Sequence, residues 1–190
     1  MKMNKIAWGI TGSGDKIEEI YSIMKKLCEQ YPEVEVRVFV SKAGEQVLRW
    51  YRLLEKLKTS FHRLQVEINS NAPFLAGEVQ LGRYDFMLIA PATSNTVAKM
   101  ALGIGDTMIT NAASMAMKSS IPLYILPSDY EVGVISTKLP NGKDLEMKIL
   151  EKDVRHVKSL EKHENIFILR EPQEITSVFS EYYGKIYGKT

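Results

Sequence analysis

Three short segments of this chain concentrate glycine, hydroxyl and amide groups where an anionic ligand could be held. They are Gly9-Ile10-Thr11-Gly12-Ser13-Gly14, Ser41-Lys42-Ala43-Gly44 and Pro91-Ala92-Thr93-Ser94-Asn95-Thr96. Glycine lets the backbone approach a ligand, and N–H groups at the start of a helix attract phosphate. Strict motif readings fail in the first segment. A P-loop needs Lys directly after Gly14, where Asp15 stands, and a dinucleotide fingerprint counted from Gly12 needs glycine at position 17, which is Ile17. Taken alone, that segment has a second reading as a tight strand-to-helix turn with no ligand, and for Ser41 helix capping is the more common use. The third segment is denser. Thr93, Ser94, Asn95 and Thr96 place four hydroxyl or amide side chains in a row, where one would satisfy the exposed N–H groups of a helix start. Together the three suggest a polar, uncharged cradle for a phosphorylated cofactor.

Such segments need rigid elements behind them, and the hydrophobic pattern supplies these. Residues 5–11 form a short apolar run that leads into the first segment. Ile17, Ile20, Tyr21, Met24, Leu27 and Cys28 then share one face at a 3.6-residue period, and Tyr31-Pro32 ends that helix. Val34, Val36, Val38 and Val40 alternate as a strand, with Phe39 marking a second covered face. An amphipathic helix follows from 43 to about 57, with Val47, Leu48, Tyr51 and Leu54 inward. Residues 64–82 are weakly patterned and interrupted by Pro73 and Gly77. A buried strand over 84–90 is punctuated by Pro91, and a helix begins near Asn95. Residues 107–117 read as a helix rich in small residues, and 121–126 as a strand. Runs over 132–138 and 143–149 flank Leu139-Pro140-Asn141-Gly142, whose Asn-Gly is a hairpin signal. A charged helix over about 151–162, a strand over 165–169 and a helix over about 172–183 follow. Strands alternating with helices predict an α/β fold with a parallel sheet, as one domain over 1–190. Ligands of such sheets sit beyond the carboxyl ends of the strands, where the three polar segments fall.

The composition excludes other classes. With 25 Lys+Arg against 23 Asp+Glu, a net charge of +2 gives no reason to expect nucleic acid or an anionic membrane as partner. The first apolar run is too short for a signal peptide or membrane span, so a cytoplasmic address is expected. The 45% hydrophobic content of 190 residues can build one sizeable core. A lone cysteine, Cys28, excludes an intrachain disulfide framework and a four-cysteine metal or iron–sulfur site within one subunit. His62, His156 and His163 have no ligand spacing, so no metal site is expected, and the last two read as a solvated helix face. Met100, Met108, Met115 and Met117, like Trp8, Trp50 and Tyr51, read as packing residues.

The stretch Ala90-Pro91-Ala92-Thr93-Ser94-Asn95-Thr96-Val97-Ala98-Lys99-Met100-Ala101 resembles the signature loop and helix of the FMN-binding flavoprotein family, which includes the homo-oligomeric flavin-containing cysteine decarboxylases. Gly103-Ile104-Gly105-Asp106-Thr107 and the first two polar segments fit the same pattern. The similarity covers roughly residues 5–127 and looks closest to the archaeal branch with archaeoflavoprotein and the acceptor-type dihydromethanopterin reductases. It implies a three-layer flavodoxin-like (Rossmann-type) parallel sheet with helices on both faces, a C-terminal hairpin, and FMN as cofactor. By that resemblance Gly12, Ser13, Ser41 and Ser94 contact the FMN phosphate, with Thr11 beside them. Ala92, Thr93, Asn95 and Thr96 line the isoalloxazine and ribityl side, and Asn95 is the nearest candidate for a catalytic role.

Departures from the family narrow the activity. The decarboxylases carry a catalytic His eight residues before the Asp that precedes the third strand, and counting back from Asp85 lands on Gly77. Their Pro-Ala-Met-Asn clamp after the fourth strand is replaced by Leu126-Pro127-Ser128-Asp129-Tyr130, and the phosphate-binding arginine of the prenyltransferases is not evident. The expected activity is flavin redox chemistry: an FMN-containing oxidoreductase moving electrons or hydride between a low-potential donor, ferredoxin-like or NAD(P)H, and an acceptor. The alternatives are a decarboxylase- or prenyltransferase-type enzyme on the same fold, or a flavin-binding module without turnover. Lys138, Lys143, Lys148, Lys152, Arg155 and Lys158, interleaved with acids, form either a solvated face or a docking patch for an acidic redox partner such as ferredoxin or an iron–sulfur flavoprotein. The resemblance also implies a homo-oligomer based on trimers.

Overall fold

Alternation along the first strand, β1 (Lys5–Ile10), divides the molecule into two cores. Ile6, Trp8 and Ile10 point into one and Ala7 into the other. In the computed structural model, which describes residues 4–184 and Gly188, β1 lies inside a six-stranded parallel sheet. The other strands are β2 (Glu35–Val40), β3 (Leu64–Val66), β4 (Phe86–Ala92), β5 (Leu123–Pro127) and β8 (Ile166–Ile168), in the order β3-β2-β1-β4-β5-β8. A separate antiparallel hairpin, β6 (Gly133–Lys138) with β7 (Asp144–Ile149), projects after β5.

One face of the sheet carries α1 (Ile17–Gln30), α2 (Lys42–Trp50), α3 (Leu54–Ser60) and α8 (Glu174–Phe179). The other carries α4 (Leu75–Gln80), α5 (Ser94–Ala101), α6 (Met108–Lys118) and α7 (Glu151–Leu160). This is the expected three-layer α/β architecture. β1, β4 and β5 are buried on both faces, as a parallel sheet covered by helices requires. Trp8 is a packing residue, its ring edge-on to Phe61 at 5.2 Å and its Nε1–H donating to the Ala90 carbonyl at 2.8 Å. Met100 and Met108 are buried in the second core, with Met115 and Met117 against it. Among the described residues no helix is long and apolar enough to cross a membrane.

Several local expectations need correction. The helix expected over 43–57 is two helices, broken where Arg52 takes a φ of 55°. The weakly patterned stretch 64–82 contains β3 and α4, each too short to show a period. Strand β4 runs through Pro91 to Ala92, past the expected stop at Ala90. It does so with a cis Ala90–Pro91 peptide and a register shift against β5, because proline has no N–H to give the ladder. The last helix ends at Phe179 and gives way to a π-helical turn, Ser180–Gly184. His156 is half-buried with its Nδ1 enclosed and without a hydrogen-bond partner, not solvated. Trp50 is exposed, so it packs no core.

Candidate functional site

The chain leaves β1 for β2 and β3 on one side and then returns to β4 on the other, so the connections diverge at the carboxyl ends of β1 and β4. That is where an open α/β sheet presents a crevice. Thr11 fastens its two rims together. Its backbone N–H and its hydroxyl both donate to the Pro91 carbonyl, at 3.2 and 2.8 Å, and its Oγ1 accepts from the Thr93 N–H at 2.9 Å. With its proton committed and the residue buried, Thr11 holds the first and third polar segments in register.

The second segment starts α2. The Ser41 oxygen caps the helix by accepting from the Gly44 N–H at 3.0 Å, which leaves the hydroxyl proton to donate elsewhere. Ser13 is in the same state: its oxygen accepts from the Ser128 hydroxyl at 2.7 Å and from the Asp15 N–H at 3.2 Å. Thr93 caps α5 through the Thr96 N–H, and the two threonine hydroxyls lie 2.9 Å apart. Among the described residues the N–H groups of Gly12, Ser13, Gly14, Ala43, Ser94 and Asn95 find no acceptor. They are the orphan donors of a loop and two helix starts, the chemistry that binds an anion. A side chain at Gly12 would bring its Cβ to 2.8 Å from that of Ala43, so the first and second segments meet backbone to backbone.

Glu67, at the end of β3, was not singled out by the sequence. Its carboxylate is buried and accepts from the N–H of Lys42 at 3.1 Å and of Met108 at 2.9 Å, the first residues of α2 and α6. One acidic side chain thereby neutralises two helix N-termini and ties them together. A Glu following a three-residue strand carries no periodic signal; only its type, set among polar residues, could have pointed to it.

The expected site residues do not all share one cavity. Thr11, Gly12, Ser41, Thr93, Asn95 and Thr96 line a cleft of about 630 Å³, closed at its far side by Glu67, Asn69, Ser70 and Thr107. Ser13 and Ser94 line a neighbouring cleft of about 340 Å³ under the β6–β7 hairpin, with Asp15, Ser128 and Asp129. Gly12 and Thr93 belong to both. Ala92 is fully buried at the end of β4, and Asn95 is exposed on the first turn of α5. Lys99 is paired with Asp106 at 2.8 Å, so the larger cleft is close to neutral on that side.

Both aspartates of the smaller cleft sit above the ordinary carboxylate pKa. Burial drives Asp15 up, against the opposing pull of Lys16 and a hydrogen bond from Thr137. Burial also raises Asp129, and the Ser94 hydroxyl, close enough to donate to it, offsets part of that rise. A carboxylate raised in the folded state costs stability at neutral pH, and that cost fades as pH falls through the folded pKa towards the unfolded value. Asp129→Asn is therefore expected to raise Tm at about pH 7, with the gain shrinking towards roughly pH 4. Thermal melts across that range check the sign, and a gain that grows on acidification would refute it.

A family model described as Flavoprotein matches residues 1–183. An uncharacterised protein of Methanocaldococcus jannaschii is 46% identical over 180 residues, covering 95% of this chain and 96% of its own length. A dihydromethanopterin reductase (acceptor) of Methanosarcina mazei is 43% identical over 143 residues, 72% of this chain and 59% of that protein. The chain thus spans about three-fifths of the reductase it matches. Among solved structures, Burkholderia xenovorans DmrB in complex with FMN, described as a cubic protein cage for redox transfer, aligns with a TM-score of 0.80 at 32% identity, covering 97% of both chains.

Proposed function

We propose that this chain, which belongs to the Flavoprotein family, binds FMN in the larger cleft at the β1–β4 switch point and works as a redox protein. The observation that carries the reading is the convergence there of the unpartnered N–H groups of Gly12, Ala43 and Asn95 with the free hydroxyl proton of Ser41. This donor set suits a phosphate without a lysine or arginine clamp. The similarity to an FMN-bound redox cage and to acceptor-type reductases supports redox use over the decarboxylase and prenyltransferase alternatives. So does Gly77, which leaves no histidine at the position of the decarboxylase base.

FMN, when bound, supplies the one- and two-electron chemistry. The chain's own part is to hold and screen it. Gly12, Ala43 and Ser41 would take the phosphate end, while Thr93, Asn95 and Thr96 line the wall beside the ribityl chain and ring. Thr11 keeps that wall against the first segment, and Asn95, exposed at the mouth, is the side-chain amide placed to meet a reacting atom. Ser13 and Ser94 line the smaller cleft next to it. Exposed Ile68, Phe74, Leu102 and Ile104 give the chain apolar surface that a homo-oligomer would cover, and the relative's cage supports such an assembly. An acidic donor such as ferredoxin would meet Lys143, Lys148, Lys152 and Lys158, since Lys138 and Arg155 are spent on Asp144 and Glu151.

Reconstitution with FMN followed by reduction with ferredoxin or NAD(P)H tests the reading, with flavin absorbance as the signal. Uptake and reduction are expected, and failure to take up FMN would sink it. Ser41→Ala should weaken FMN about tenfold, the worth of one hydrogen bond to a charged group. An unchanged affinity would remove Ser41 from the phosphate site.

A further inference from the structure

The larger cleft is walled by the first turns of three helices, and they are not equivalent. α5 meets it with Asn95 and Thr96 and has no acidic residue in its first turn. α2 meets it with Lys42 and Ala43, and α6 with Thr107 and Ile109. A helix start carries the equivalent of about half a positive charge, so three of them would make the cleft strongly electropositive. Glu67 alters this for two. Its buried carboxylate accepts from the Lys42 N–H through Oε2 and from the Met108 N–H through Oε1. One full negative charge thus stands against two half-charges. Among the described residues nothing else takes this part. α6 has no acid in its first turn, and the acid of α2, Glu45, is paired with Arg49 at 2.6 Å and does not line the cleft. Of the other charges on the cleft, Lys99 and Asp106 neutralise each other at 2.8 Å, and the exposed Lys42 side chain is screened by water and salt.

A fixed charge in this place acts on electron uptake. Electrons entering a flavin bring negative charge that the accompanying protons only partly cancel, and the field of the protein sets how stable that charge is. Two bare helix starts would favour the reduced flavin over the oxidised one and raise its potential. A carboxylate that cancels them withdraws that support, and burial keeps salt from screening the effect. The sign follows from Glu67 lying on the cleft wall, whichever part of the flavin it faces. Distance sets only the size.

We propose that Glu67 is the residue that holds the bound flavin at low reduction potential, by cancelling the positive ends of α2 and α6 on the wall of the cleft. The assignment rests on FMN occupying the larger cleft. Glu67 acts through the field and touches no reacting atom. Its effect suits a protein that passes electrons on, because electrons that are weakly held are the ones given up to an acceptor.

Spectroelectrochemical titration of FMN-loaded protein at about 0.1 M salt tests it, with the parent set against Glu67→Gln, Glu67→Ala and Glu45→Gln. Both substitutions at residue 67 should raise the midpoint potential by about 30 mV or more, a tenfold change in the two-electron equilibrium. The two rises should be alike, because both variants lose the same charge, although Ala does more damage to the fold. Glu45→Gln removes a carboxylate of α2 outside the cleft and should leave the potential near that of the parent. An unmoved or lowered potential in Glu67→Gln would overturn the assignment, and that comparison suffices should Glu67→Ala fail to fold. A rise that grows with the loss of Tm from Gln to Ala would also overturn it, since that marks a brace between helices and no more. So would an equal rise in Glu45→Gln. A parent that takes up no FMN would overturn the flavin reading and this assignment with it. FMN uptake with potentials that do not move would overturn the assignment alone.

Discussion

Gly12→Val should abolish FMN uptake while leaving the fold in place. The reason is proximity. A Cβ at residue 12 would lie 2.8 Å from the Cβ of Ala43 and 3.4 Å from its carbonyl carbon, whereas non-bonded carbons rest near 3.5–4.0 Å. The first segment cannot retreat in the other direction, because Thr11 is tied by three hydrogen bonds to Pro91 and Thr93. The strain is therefore relieved by parting the first segment from the start of α2, which separates the Gly12 N–H from the Ala43 N–H and the Ser41 hydroxyl. Overpacking of this kind costs about 1–3 kcal/mol, a modest share of the roughly 5–15 kcal/mol that holds a domain together. A binding site that needs donors from both segments loses far more than the fold does. A fall of at least about 100-fold in FMN affinity is expected by absorbance titration, with circular dichroism unchanged. Near-normal affinity in this variant would show that the two segments do not share a ligand.

The same pair of segments shows what was legible beforehand. Glycine, serine and threonine declare themselves locally, because each has few uses at the end of a strand, so the three polar segments could be located from the sequence. Their division of labour could not. Thr11 and Thr93 look alike on paper, yet the Thr11 hydroxyl is spent on Pro91 and Thr93. Ser13 and Ser94 fall in a different cleft from Ser41 because a hairpin 120 residues away along the chain from Ser13 folds over them, a long-range fact that no local pattern carries. The break between α2 and α3 was equally silent. No glycine or proline marks it, and Arg52 adopts its left-handed conformation where Leu53 turns in to the core. Trp50 ends α2 on the side away from the buried Leu48 and lines the smaller cleft with the hairpin.

Glu67 is where the largest loss of stability among these substitutions is expected. Its two carboxylate oxygens serve different helices, Oε2 taking the Lys42 N–H at 3.1 Å and Oε1 the Met108 N–H at 2.9 Å. Thr107 and Thr110 already cap α6 reciprocally, but that box satisfies the N–H groups of residues 107 and 110 and leaves Met108 to Glu67. With only 9% of Glu67 exposed, water is poorly placed to substitute. Glu67→Ala removes both acceptors and opens a gap between α2 and α6, so a loss of about 2–4 kcal/mol is expected from two charge-assisted hydrogen bonds and the orphaned donors. Glu67→Gln keeps one oxygen but turns an N–H₂ towards the other helix start, donor against donor, and should cost about 1–3 kcal/mol. In thermal melts both variants fall below the parent and Ala below Gln, by roughly 2–4 °C for each kcal/mol in a chain of this size. Equal melting temperatures for the two variants would mean that only one of the two helices depends on Glu67. Because α2 carries Ser41 and Ala43 into the cleft, FMN affinity should fall in the same order as Tm. A variant that loses stability but keeps full FMN affinity would place the phosphate elsewhere than at the start of α2.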